Sequence, residues 1–285
     1  MSSLKINSYK VCFLGFGRLA QKIHKQLDVA SICVARTKAD FSFDILNPSY
    51  PAKFLKELSS ITHLVIGLSP RGLPMNPMDA YEYAYVRTAE TFFKQTKHAF
   101  QSLQKVIYFS STGVYPPSDT LQTEDDCPLQ QPIALQDKQS ILQMAESLWD
   151  DFSRFYQADL CILRFSGIYG FVPPDQERIV QEIANGRAYL TKDPYFTNRI
   201  HAEDAALFAH NAIFSLSGIY NVTDNLPSEK NEVILYLCKI FSLPVPREIR
   251  KMPHRGKKIS NKKLRNTGFK LQYPSYQNHF VNGKR

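Results

Sequence analysis

The stretch KVCFLGFGRLAQKIHKQL, Lys10 to Leu27, decides how the rest of the chain is read. An apolar run, Val11 to Leu14, ends in Gly15-Phe16-Gly17-Arg18-Leu19-Ala20. It passes directly into a segment with Leu19, Ile23 and Leu27 at four-residue intervals, the spacing of one helix face. Strand, glycine turn and helix form the context in which Gly-x-Gly-x-x-Ala has a mechanism. Gly15 permits the tight turn, Gly17 lets the backbone approach a pyrophosphate, and the small Ala20 lets helix and strand pack closely. The start of the helix offers N–H groups and a positive dipole end to the phosphates.

Working outward, the same alternation recurs. SICVAR (31–36) reads as a strand, FLKELSSI (54–61) as a helix and THLVIGLSP (62–70) as a buried strand ending at proline. The segment 80–104 predicts one long helix, because Ala89, Phe92, Phe93, Thr96, Ala99, Phe100 and Leu103 share a face. KVIYFSS (105–111) is a strand, 139–156 a helix and LCILRFS (160–166) a strand. Such alternation predicts an α/β fold of Rossmann type, a doubly wound parallel sheet with a smaller C-terminal substrate lobe. The expected division is a dinucleotide-binding domain over 1–170 and a substrate lobe over 171–285, with 199–225 returning to the first.

Bulk composition fits a globular chain: 44% hydrophobic and 21% charged residues among 285. No apolar run reaches the ~18 residues that span a bilayer, and the first residues do not resemble a secretory signal, so a cytoplasmic location without membrane attachment is expected. Five scattered cysteines (Cys12, Cys33, Cys127, Cys161, Cys238) form no CxxC pair, and neither metal nor disulfide framework is expected. The net charge of +9 is concentrated near the end, where 245–285 hold twelve Lys or Arg against one acid, Glu248. A basic segment attracts anions or nucleic acid, or is simply a solvated face.

The end of the second strand reads the cofactor's ribose: an acid there suits the 2′-hydroxyl of NAD, an arginine the 2′-phosphate of NADP. Here the strand runs into Ala35-Arg36-Thr37-Lys38, with no carboxylate before Asp40, which favours NADP over NAD. Asp44, after the next apolar stretch, is placed to meet the adenine.

Five motifs in order carry a resemblance: the turn Gly15–Ala20, YFSSTGVY (108–115), LRFSGIYG (163–170), RIHAEDAA (199–206) and IYNVTDNLP (219–227). Over nearly the whole chain the sequence resembles the extended short-chain dehydrogenase/reductases, the NAD-dependent epimerase/dehydratase group, and within it most closely the YeeZ-like branch. The resemblance implies a Rossmann domain holding NAD(P) and a lobe closing over a small-molecule substrate, often a nucleotide sugar. It places Gly15, Phe16, Gly17, Arg18, Leu19, Arg36, Thr37, Asp44, Leu68, Ser69, Pro70, Ser110 and Arg164 at the cofactor. Tyr169 and Arg199 fall on the substrate side, and Arg199 suits an anionic group. A homodimer is compatible with this family.

Typical members use a hydroxyl, a tyrosine and a lysine, the cation stabilising the phenolate. Ser111 matches the hydroxyl, with Thr112 beside it. In the family the Tyr-x-x-x-Lys stretch opens a helix whose glutamate lies four residues after the lysine. With Glu146 as that glutamate, Leu142 stands at the lysine position and Lys138 at the tyrosine position. Leucine holds no ribose hydroxyl. Lys138 is a candidate proton donor only where burial lowers its pKa, and Tyr115 is a second candidate or a structural tyrosine. The YeeZ-like branch also lacks the pair.

Two readings therefore stand: an oxidoreductase or epimerase with an atypical active site, and a non-catalytic NAD(P)-binding sensor or partner-binding protein. Nucleic-acid binding through the basic segment is disfavoured, because that segment falls within the family resemblance.

Overall fold

The computed structural model describes residues 9–47, 49–70, 72–130 and 134–281. Along the first half run β1 (Lys10–Leu14), α1 (Arg18–His24), β2 (Ala30–Ala35), β3 (Phe41–Ser42), α2 (Ala52–Leu58), β4 (His63–Ile66), α3 (Pro77–Glu82), a π-helical turn (Tyr83–Arg87), α4 (Thr88–Thr96), β5 (Lys105–Ser111) and β6 (Leu121–Gln122). Next come α5 (Lys138–Phe155), β7 (Asp159–Phe165), β8 (Gly167–Tyr169), α6 (Arg178–Ala184), β9 (Leu190–Thr191), β10 (Phe196–Thr197) and β11 (Arg199–His201). The chain ends in α7 (Ala202–Ser215), β12 (Gly218–Val222), β13 (Ser228–Glu229), α8 (Lys230–Phe241), β14 (Ile249–Arg250), β15 (Lys258–Ile259), α9 (Lys262–Asn266) and α10 (Tyr276–Val281).

The main sheet has seven strands in the order β12-β7-β5-β4-β1-β2-β3. The pairs β1–β2, β1–β4, β2–β3 and β4–β5 are parallel, with Val11 opposite both Ser31 and His63. This is the doubly wound Rossmann arrangement. Its strand order reverses between β1 and β4, where open parallel sheets bind ligands beyond the strands' carboxyl ends.

The chain divides into two compact units that interleave along the sequence: Met1–Val114, Leu129–Leu163 and Ala209–Ile219 form the first, Tyr115–Pro128, Arg164–Phe208 and Tyr220–Arg285 the second. The first is cored by aromatic side chains. Phe92 of α4 meets Trp149 and Phe152 of α5 with ring centroids 5.9 Å from each. Helix α5 starts cleanly because the Asp137 carboxylate accepts the Ser140 N–H at 2.8 Å, a reciprocal capping box. The second unit packs Val180 and Ile183 of α6 with Val233, Ile234 and Leu237 of α8 and Phe280 of α10.

One expected element is shorter. The helix predicted over 80–104 ends at Thr96, since His98 takes a left-handed φ of 72° and the Ala99 N–H closes a turn onto Thr96. Phe100 and Leu103 are still buried, so their burial follows the turn rather than a helical face. All five cysteines are free and buried. Among the described residues no helix is long and apolar enough to cross a membrane.

Candidate functional site

In the first unit, the glycine turn is built on a backbone contact. Gly15 adopts φ +92°, and a Cβ there would stand 2.5 Å from the carbonyl oxygen of Gly67 and 3.3 Å from Leu68 Cδ2. The Gly15 N–H bonds to the Val34 carbonyl at 2.8 Å, and the Gly67 N–H to the Leu14 carbonyl at 2.9 Å. The ends of β1, β2 and β4 are thereby tied together at the point where the strand order reverses. Gly67 escaped the sequence reading, although a glycine closing a buried strand was its signal.

Gly17 differs. Its φ of −74° and ψ of 178° are open to any residue, and a Cβ there would meet nothing within 4 Å among the described residues. Neither folding geometry nor internal packing demands glycine at this position. It precedes α1, which has no capping side-chain hydrogen bond at Gly17 and no acid in its first turn. The first N–H groups of such a helix lack intrahelical acceptors. Phe16 packs edge-on to His24 at 5.3 Å, and the Phe16 carbonyl accepts from the Gln21 amide, which holds the turn in place.

Arg36 and Thr37 are exposed just beyond β2. The nearest carboxylates are committed elsewhere. Asp40 accepts the Cys33 N–H at 2.8 Å, while Asp44 accepts the Tyr83 hydroxyl at 2.8 Å and the Leu46 N–H at 3.0 Å. Ser69 is exposed and Pro70 half-buried after β4, where the Pro70 carbonyl closes a turn with the Leu73 N–H.

At the end of β5, Ser110 donates to the buried Glu146 carboxylate at 2.6 Å, fixing the strand against α5. Ser111 Oγ accepts the Gly113 N–H at 3.0 Å, leaving its proton to donate. Thr112 opens a short 3-10 turn and is buried. Over that turn lies Leu142, whose Cδ1 would be 2.8 Å from a Cβ at Gly113. Lys138 is exposed at the start of α5, its ammonium 4.9 Å from the centre of the Tyr81 ring. Burial, the condition for a proton-donating Lys138, is not met there.

In the second unit, Tyr115 and Arg164 are partners. The Tyr115 hydroxyl donates to Asn221 Oδ1 at 2.7 Å and accepts from Arg164 Nη1 at 2.8 Å. Arg164 is fully buried and its Nη2 reaches the Cys127 carbonyl at 2.7 Å. The Asn221 N–H donates to Glu124 at 2.7 Å, and Lys257 Nζ bonds to the Tyr115 carbonyl. Burial pushes the Tyr115 hydroxyl up to about 12 against the pull of Arg164. Both oxygens of Tyr115 are engaged by the protein itself.

Tyr169 and Arg199 lie on the neighbouring strands β8 and β11. Among the described residues, the Tyr169 hydroxyl, Arg199 Nη1 and Asp224 Oδ2 are buried without a hydrogen-bond partner. The Arg199 guanidinium stands over the Tyr276 ring at 5.7 Å and is lowered in pKa chiefly by desolvation. Desolvation likewise raises Tyr169, and pushes the Asp224 carboxyl up to about 7 although Arg199 opposes it. Asp224 was not singled out from sequence, where it looks like an ordinary turn acid. His201 accepts from the Glu203 N–H at 3.2 Å and meets His279 at 3.1 Å, a structural pairing. Asp204 accepts the Gln272 and Tyr273 N–H groups at 2.8 and 2.9 Å.

No protein-family model matches the sequence, and no curated protein matches it. Solved structures do resemble it. A Methylobacillus flagellatus protein assigned to the NAD-dependent epimerases/dehydratases is 23% identical, with a TM-score of 0.70 and 97% of each chain covered. A short-chain dehydrogenase/reductase superfamily protein from Agrobacterium tumefaciens with bound NAD is 15% identical, TM-score 0.73, covering 96% of this chain and 95% of that one. A UDP-glucose 4-epimerase from Thermotoga maritima with UDP-glucose is 14% identical, TM-score 0.72, covering 95% and 96%. At these identities the likeness is one of fold, and it extends over almost the entire chain.

Proposed function

We propose that this chain binds a nicotinamide dinucleotide and acts as an oxidoreductase or epimerase of the extended short-chain dehydrogenase/reductase type, without the Tyr-x-x-x-Lys pair. The observation that carries the reading is the pair of glycines in the first unit. Gly15 is explained by the Gly67 carbonyl pressed against it. Gly17 has no such internal reason, and the empty space at its Cβ position lies at a helix start, where a pyrophosphate needs close backbone approach. The fold shared with NAD-bound proteins supports the same assignment.

Bound there, the cofactor would supply a hydride acceptor or donor. The chain's own contribution is positioning. Gly17 and the first turn of α1 would hold the phosphates, and Ser111, with its proton unspent, would orient an oxygen of the substrate. We propose NADP in preference to NAD, because Arg36 is exposed directly after β2, whereas Asp40 accepts the Cys33 N–H and Asp44 the Tyr83 hydroxyl and the Leu46 N–H. A small anionic substrate, such as a nucleotide sugar, suits Arg199, whose guanidinium has no hydrogen-bonding partner among the described residues.

Titration calorimetry with NADPH and NADH tests this on the wild type, Gly17→Val and Arg36→Ala. The expected outcome is binding that Gly17→Val abolishes, with Arg36→Ala losing the preference for NADPH alone. Binding of neither nucleotide would refute the assignment.

A second reading, a cofactor-binding sensor without turnover, is favoured by Leu142, buried over Gly113 where the family resemblance expects a lysine. Turnover of any nucleotide sugar would exclude it.

A further inference from the structure

Within the second unit, α6, the turn after it and the start of α8 border a half-open concavity of about 510 Å³ lined by Arg178, Gln181, Glu182, Arg187, Tyr189 and Lys230. Its chemistry is cationic. Lys230 Nζ stands 3.2 Å from the centre of the Tyr189 ring, and the Arg250 guanidinium 3.9 Å from it. Ring faces hold cations in this way through the aromatic quadrupole. Arg178 is neutralised by Glu182 at 2.7 Å and Arg250 by Glu248. Arg187 and Lys230 have neither an ion pair nor a side-chain hydrogen bond to any described residue.

The fold keeps these charges together. The Arg187 N–H is fixed at 2.8 Å on the Glu182 carbonyl, just after the left-handed Gly186, and the Lys230 N–H at 2.9 Å on the Tyr195 carbonyl. Parallel pairing of β9 with β14 sets Arg250 opposite Thr191, two residues beyond Tyr189. Arg187 and Lys230 line the same concavity, and an anion bound between them would offset their like charges. An ammonium and a guanidinium together match a phosphate's charge and its several acceptor oxygens. The volume is that of small-molecule sites rather than of a bare ion.

We propose that this cavity is a binding site for a phosphorylated small molecule, a phosphate ester held by Arg187 and Lys230 with the Tyr189 hydroxyl near its organic part. The inference does not depend on the dinucleotide reading, since none of these residues belongs to the glycine turn.

Titration of the full-length protein with ribose 5-phosphate at low ionic strength tests it, with glucose 6-phosphate as the second probe. One ester per chain is expected to bind. Arg187→Ala and Lys230→Ala should each weaken it about tenfold, and added salt should weaken it further. Arg187→Lys should retain most of the affinity, and Gly17→Val should leave it unchanged. Arg187 is exposed and Lys230 half-exposed, so melting temperatures close to that of the wild type will confirm that the variants fold. Affinity that survives both alanine substitutions, affinity abolished by Gly17→Val, or failure of both probes to bind would each overturn the proposal.

Discussion

Leu142 closes over Gly113: a Cβ on that glycine would stand 2.8 Å from the leucine's Cδ1. The place where the family resemblance expects a lysine is thus an apolar contact, 3% exposed, against the turn that follows Ser111. Leu142→Ala should cost about 2–5 kcal/mol through lost burial and the cavity left behind. Gly113→Ala alone should cost about 1 kcal/mol or more by overlap. Combined, the two should cost less than their sum, because the new methyl grows into the vacated space. Urea unfolding of the four proteins measures that coupling; strict additivity would mean that the two side chains do not share the space.

The glycine turn separates stability from binding. Gly15→Ala places a Cβ 2.5 Å from the Gly67 carbonyl at φ +92°, so it should destabilise by at least about 2 kcal/mol. Gly17→Ala meets nothing and should leave the melting temperature within a degree or two, while weakening dinucleotide binding at least about tenfold. Thermal melts beside nucleotide titrations check both. A large loss of stability in Gly17→Ala would show that the glycine is structural after all.

Tyr115→Phe should behave as a structural change. It strips Asn221 Oδ1 and the buried Arg164 Nη1 of their shared partner, at a cost of about 1–3 kcal/mol. Dinucleotide affinity should stay unchanged and the melting temperature should fall. A folded variant of full stability that fails in turnover would instead place Tyr115 in catalysis.

Asp224 should make stability depend on pH. Burial raises its folded-state value to about 7, above the 3.8 of an ordinary aspartate, so the folded chain binds more protons than the unfolded one between those limits. Its contribution is full below about pH 4 and is lost as pH rises through 7. Stability of Asp224→Asn should therefore fall less steeply across that window, by up to ~1.4 kcal/mol per pH unit at the steepest point. Denaturant unfolding from pH 4.5 to 7.5 gives the two slopes, and parallel curves would contradict the assignment.

The sequence by itself determined the strand–turn–helix opening, the alternation behind the parallel sheet, and the missing Tyr-x-x-x-Lys pair. Those are local patterns: an apolar run, a glycine spacing and a helical period are written in adjacent residues. It carried helix α5, read over 139–156, for the same reason. The helix over 80–104 was overread, since the apolar period continues past His98, where the backbone turns left-handed. Tertiary structure alone decided which polar groups are spent. Asp44 is taken by Tyr83, thirty-nine positions away, and Tyr115 by Asn221, 106 positions away. Gly17 stands open while Gly15 is pressed against Gly67. Lys230 and Arg250 meet over the Tyr189 ring from separate elements. Hydrogen-bond partners and close backbone approaches between distant segments leave no period in the sequence, so only the folded chain brings them out.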